Sequence, residues 1–133
     1  MNIEGIEHIG IAVNALNKEG VFWKYFLKNI KSKIETIEDQ GVITEIFDTG
    51  NGKIELLEEI NNDSPINTFL KKRGPGVHHI SFKVQNIEEA IADLKKNNVK
   101  LVTENWSLGA EGYKVIFIHP KATGGVLVEL TEV

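Results

Sequence analysis

Histidine opens two short apolar runs in this chain, "HIGIAV" at residues 8–13 and "HISFKV" at residues 79–84. A glutamate follows each at nearly the same interval: Glu55 lies 47 residues beyond His8, and Glu129 lies 50 beyond His79. Two imidazoles and two carboxylates suit a borderline first-row divalent ion such as Zn, Co, Ni or Mn, with Fe also compatible, and leave positions for a substrate. Glu55 is flanked by Ile54 and Leu56, and Glu129 by Val128 and Leu130. Strand alternation sends those apolar flanks toward a core and the carboxylates the other way. His8 and His79 fall on that other face too, among Gly10 and Ala12, then Ser81 and Lys83. A carboxylate desolvated in mid-strand is costly, and a divalent cation removes the penalty by pairing with it. A strand face turned from the core commonly meets water, where His and Glu are ordinary. Four such residues matched across two repeats favour one metal site built from His8, Glu55, His79 and Glu129.

The elements that must position these groups repeat as well. "IEHIGIAV" alternates as a strand, and "NALNKEGVFWKYFLKNI" spaces Leu16, Phe22, Trp23, Phe26, Leu27 and Ile30 as a helix, weakened by Gly20. Strand-like runs "KIETIE", "VITEIFDTG" and "KIELLEEI" follow, with "GNG" at 50–52 as a hairpin turn. The second half runs in the same order. "HHISFKV" is a strand, and "NIEEAIADLKKNNV" is a helix with Asn86 as N-cap and Glu89 three residues on. "KLVTEN", "YKVIFIHP" and "GVLVELTE" supply three more strands, with "TGG" at 123–125 as a turn. These halves predict an α+β fold: two tandem βαβββ modules, 4–58 and 76–132, forming a curved mixed sheet around a metal-binding cleft. Residues 59–75 read as a linker with its own short helix, carrying Ile66, Phe69 and Leu70, inside a single domain spanning 1–133.

Composition excludes other classes. Lys plus Arg total 15 against 19 Asp plus Glu, a net charge of -4 that is too acidic and too mixed for a nucleic-acid surface. Absence of cysteine removes disulfide and thiolate chemistry. No apolar run approaches the ~20 residues of a membrane span, and the N-terminus reads as no signal peptide. A cytoplasmic protein is expected. Weaker candidates are His78, read as core packing or a local hydrogen bond, and His119 in "IHPK", which has no counterpart in the first half. Lys121 reads as a solvated lysine, and neither "GNG" nor "TGG" precedes a helix as a phosphate loop would.

Paired βαβββ units with this His, Glu, His, Glu order resemble the vicinal oxygen chelate superfamily, the glyoxalase-like group. Within it the chain looks like the methylmalonyl-CoA epimerase family. "DSPINTFLKKRGPGVHHISF" and "GAEGYKVIFIHPKATGGVLVELTE" carry that likeness most specifically, together with "HIGIAV", "QGV" and "KIELLE" in the same order along almost the whole chain. The resemblance implies that His8, Glu55, His79 and Glu129 are metal ligands and that the protein is a homodimer acting on an acyl-CoA. It also implies epimerisation through loss and return of the proton α to a thioester, with the metal stabilising the enolate. Glu129 would be one base and Glu55 the candidate on the opposite face. Some relatives carry glutamine at the position of Glu55. A further glutamate, proposed as a base in some members, falls at Thr44 here, with Glu45 beside it, which leaves the second proton-transfer group open. The first helix departs too, with "LKNIKS" where a Leu-Gly pair is usual.

Two alternatives remain on the sequence alone. Glyoxalase I (lactoylglutathione lyase) uses a similar ligand pattern, but the "DSPINTFLKKRGPG" linker looks epimerase-like. A metal-free small-molecule binding protein of the same fold would not need the intact four-ligand set. Extradiol dioxygenases resemble a two-His, one-carboxylate iron site in longer chains.

Overall fold

The computed structural model describes residues 1–133, which divide into two compact units, residues 8–78 and residues 79–133 together with 1–7. In the first unit β1 (Ile6–Ala12, of which 8–12 belong here) is followed by α1 (Gly20–Phe26), β2 (Lys33–Ile37), β3 (Val42–Asp48), β4 (Lys53–Glu59) and α2 (Pro65–Arg73). The strand order is β2-β3-β4-β1; β1 lies parallel to β4 and the other pairs are antiparallel. The second unit follows the same plan with β5 (Gly76–Val84, of which 79–84 belong here), α3 (Ile87–Lys96), β6 (Ser107–Leu108), β7 (Lys114–Ile118), the short α4 (Pro120–Thr123) and β8 (Val128–Glu132). Its order is β5-β8-β7-β6, again with one parallel pair, β5 and β8. The N-terminal residues join this unit: Glu4 donates its backbone N–H to Lys83, and Lys83 donates to Gly5.

Each sheet buries one face under its helix. Ile11, Val13, Phe47 and Leu56 form the first core, with Leu16, Trp23, Leu27 and Ile30 packed on it. Val84, Ile116, Ile118 and Leu130 meet Ile87, Ala90, Ile91 and Leu94 of α3 in the second. Local chemistry fixes the helix ends. Asn86 accepts a hydrogen bond from the Glu89 N–H at 2.9 Å, as the sequence predicts, and the Glu132 carboxylate accepts from the Ile87 N–H at 2.8 Å. The linker helix α2 starts at Ser64, whose hydroxyl accepts from the Ile66 N–H, with Pro65 in the first turn and Lys71, Lys72 and Arg73 in the last. Between β3 and β4, Asp48 accepts from the Gly50 N–H, and Gly50 and Gly52 take φ of 86° and 124°, which L side chains resist.

Three local expectations change. The first helix is only seven residues long; Glu19 before it makes no capping hydrogen bond, and its side chain accepts from the Asn14 N–H. Phe22 and Phe26, expected on the buried stripe, are exposed and stack on each other. "KLVTEN" does not form a strand. Leu101 bridges Ile118, and Ser107 then pairs with Val115. Five residues on one side thus oppose two on the other, and the surplus loops out through Thr103, whose hydroxyl donates to the Asn105 carbonyl.

His78 packs edge-on against Phe69 of α2, centroids 5.0 Å apart, and burial pushes its pKa down from 6.5 to about 4. Between those values only the unfolded chain takes up the proton, so stability is intact above pH 6.5 and is lost as pH falls toward 4. The loss amounts to as much as about 3 kcal/mol. Urea denaturation in chelator between pH 7.5 and 4.5 should show His78→Gln with a flatter pH dependence than the parent; equal slopes would refute a neutral, buried His78.

Candidate metal centre

The two units place one histidine and one glutamate at equivalent positions. In the first, Gly10 of β1 pairs with Glu55 of β4, and Glu55 faces Ile46 of β3 across the next ladder. His8 is two residues before Gly10, so it shares the face of Glu55, opposite the helix-covered core. His8 Nδ1 lies 3.1 Å from Glu55 Oε2, and the two residues are only 4% and 3% exposed. In the second unit Ser81 of β5 pairs with Glu129 of β8, and Glu129 faces Phe117 of β7. His79 is two residues before Ser81, mirroring His8 and Gly10. Donor atoms of His79 and Glu129 lie within 4.8 Å of each other, with 4% and 2% exposure. The His79 ring meets Phe117 edge-on at 5.5 Å.

Within each unit, then, the expected partners are together and out of water. Burial is the informative part: a carboxylate on a solvated sheet face would need no partner, but one this enclosed does. The donor set of each unit, one imidazole and one carboxylate, fits half of a borderline divalent site.

The same alternation separates Thr44 from Glu45. Thr44 pairs with Leu57, two residues beyond Glu55, and therefore lies on the face of His8 and Glu55; it is fully buried and its hydroxyl has no hydrogen-bond partner. Glu45 pairs with Leu56 and points to the face under α1. There its Oε2 accepts from the Ser32 hydroxyl at 2.6 Å, and its Oε1 lies 3.7 Å from Lys24 Nζ. Glu45 thus ties α1 and the segment after it to the sheet, and it is no member of the ligand face.

Other candidates resolve structurally. His119 caps α4, its Nδ1 accepting from the Lys121 N–H at 3.1 Å, so that nitrogen carries no proton. The "TGG" segment ends that helix, with Gly124 and Gly125 at φ of 78° and 110°. One arrangement escapes the sequence reading altogether. Thr131 donates its hydroxyl to Glu129 Oε1 at 3.1 Å, and Ser81 and Thr131 share a hydrogen bond at 2.6 Å. The available signal was spacing: each stands two positions from a candidate ligand, Ser81 from His79 and Thr131 from Glu129, on an alternating strand.

Glu45→Ala should lower the free energy of unfolding by about 1–3 kcal/mol, the cost of stranding partners of a buried, charged acceptor. Urea titration followed by circular dichroism measures this; an unchanged midpoint would mean that Glu45 does not anchor α1.

Comparison with known proteins agrees with this geometry. Residues 7–117 match the family model described as the Glyoxalase/Bleomycin resistance protein/Dioxygenase superfamily. The human mitochondrial methylmalonyl-CoA epimerase is 42% identical over 98% of this chain and 75% of its own length. An ethylmalonyl-CoA/methylmalonyl-CoA epimerase of Cereibacter sphaeroides is 34% identical over 96% of this chain and 97% of its own. A solved methylmalonyl-CoA epimerase in complex with methylmalonyl-CoA and ammonium is 31% identical, with a TM-score of 0.89 over 98% of this chain and 94% of that one. The repeated βαβββ plan, the paired His–Glu registers and these similarities together establish that the chain belongs to the glyoxalase/bleomycin resistance/dioxygenase superfamily, where its likeness is to the methylmalonyl-CoA epimerases.

Proposed function

We propose that this protein is a metal-dependent epimerase that interconverts the R and S forms of methylmalonyl-CoA. The supporting observation is the pair of buried His–Glu sets at the same register in two like units, His8 with Glu55 and His79 with Glu129. Together the four residues would hold one divalent ion, Co, Zn, Ni or Mn. When bound, such an ion supplies Lewis acidity toward the negative charge that develops on the thioester oxygen as the enolate forms.

The chain's own residues do the rest. Epimerisation requires that a proton leave one face of the α-carbon and return on the other. Glu129 is assigned as the group that removes it on one face, and Glu55 as the group that serves the opposite one. Burial of both carboxylates excludes water from the transfer and strengthens the electrostatics around them. Fixed strands on either side keep each carboxylate beside its histidine, so that little reorganisation is needed at the moment of transfer. No helix of the protein is long and apolar enough to cross a membrane. We assign it to the cytoplasm as a homodimer; light scattering that returned a mass near the 14.9 kDa of one chain would overturn the dimer.

Proton NMR of methylmalonyl-CoA in deuterated water with Co2+-loaded protein tests the reaction. The α-proton signal should disappear only with protein and metal together. No exchange, with turnover of a methylglyoxal–glutathione adduct instead, would assign the site to glyoxalase chemistry.

Three substitutions separate roles within the site. Glu129→Gln keeps an oxygen for the metal but cannot take a proton, so exchange at saturating metal should fall ~100- to 10,000-fold. Glu55→Gln should lose less. An unimpaired Glu129→Gln would leave Glu129 a ligand only. His79→Ala should lower the metal retained after chelator challenge and shrink the metal-induced rise in Tm; full retention would remove His79 from the ligand set.

A further inference from the structure

Glu129 and Glu55 occupy equivalent positions but have different neighbours. Around Glu55 the corresponding places hold Gly10, Leu57 and Ile46, none with a side-chain hydrogen-bonding group. Around Glu129 they hold Ser81, Thr131 and Phe117. Ser81 and Thr131 are 0% and 1% exposed, so bulk solvent does not compete for their hydroxyls. Each hydroxyl has one hydrogen. Thr131 gives its hydrogen to Glu129 Oε1 and therefore accepts from Ser81, which sets the direction Ser81 to Thr131 to Glu129.

We propose that Ser81 and Thr131 form a hydroxyl relay that fixes the orientation of the Glu129 carboxylate and thereby sets how it meets the metal and the substrate's α-proton. The relay rests on the metal and epimerase reading given above. Its physical basis is the terminal torsion of a glutamate, which is broad and roughly two-fold, so packing alone holds a carboxylate plane poorly. A donor on one named oxygen removes that freedom, and a second hydroxyl behind it stops the first from turning away. Thr131 reaches Glu129 from the same strand, two residues on, whereas Ser81 comes from the parallel neighbour. The relay therefore also registers β5, which carries His79, against β8, which carries Glu129. Ser81 and Thr131 are positioning residues, since they act through the carboxylate.

The test uses the full chain, with Co2+ as probe. Thr131→Val keeps the branched shape and deletes the hydroxyl. It should weaken Co2+ binding by calorimetry about 10- to 100-fold and alter the visible absorption of the bound ion. It should also lower kcat for methylmalonyl-CoA about 10- to 100-fold with KM changed less than about threefold. Thr131→Ser restores the donor and should return both quantities to within about threefold of the parent, which a purely packing role for the threonine methyl would not do. Ser81→Ala should shift both in the same direction as Thr131→Val, by less. Should Thr131→Val fail to fold by circular dichroism, Ser81→Ala is read by the same criteria. Parent-like Co2+ affinity and spectrum in Thr131→Val, or failure of Thr131→Ser to rescue, overturns the relay while leaving the epimerase reading intact. A parent that binds no Co2+ overturns the metal site and the relay together; a parent that binds Co2+ but exchanges no α-proton overturns the epimerase reading and the relay's part in proton transfer, its effect on Co2+ still being decided by the Thr131 variants.

Discussion

A carboxylate buried in the middle of a strand, on the face away from the helix, is the constraint around which each unit is organised. Glu55 and Glu129 are 3% and 2% exposed, and each stands between apolar residues that turn into the core. An ionised group in such a place persists only with partners that offset its lost hydration. Each unit supplies the first partner in the same way, with a histidine on the adjacent parallel strand, two residues from the backbone position opposite the carboxylate. The parallel pairing is what makes this possible. It brings the first and last strands of a βαβββ module side by side, and those are the strands that carry the two residue types.

Helix packing on the other face makes this arrangement rigid. In the second unit α3 covers the sheet with Ile87, Ala90, Ile91 and Leu94, and Glu132 at the end of β8 accepts from the first helical N–H. In the first unit α1 is short and lacks a side-chain cap, and the ion pair of the exposed Lys24 with the buried Glu45, together with the Ser32 hydrogen bond to Glu45, helps hold that region to β3. Thus a carboxylate one position from Thr44 serves the fold, while Thr44 itself lies among the ligand-face residues. Adjacent residues on a strand have unrelated duties because the pleat sends them to opposite sides.

The likeness of the two units in topology does not extend to their polar surroundings. Beside its histidine contact, Glu55 is flanked at the paired positions by Gly10, Leu57 and Ile46, whereas Glu129 has a histidine, an aromatic ring beside that histidine and two hydroxyls in series. A repeat that kept its backbone registers but changed the residues two positions away could give two chemically equivalent carboxylates different duties.

Much of this was determined by the sequence alone: the repeat of elements, the four ligand candidates, the Asn86 cap and the "GNG" turn all follow from period and local residue chemistry. Those features depend on residues close in the chain, where alternation and capping act. The tertiary structure decided the rest. Only strand register shows that Glu45 turns under α1 and Thr44 does not, and that "KLVTEN" contributes a single bridge because three surplus positions before Ser107 loop out of the ladder. His119 reads as a possible ligand until the backbone turns at Pro120 and makes it a cap. The Ser81–Thr131 hydrogen bond joins residues 50 positions apart. Nothing local predicts it, because a hydroxyl's partner is set by which strands pair and in what register, and that is fixed by the packing of the whole module.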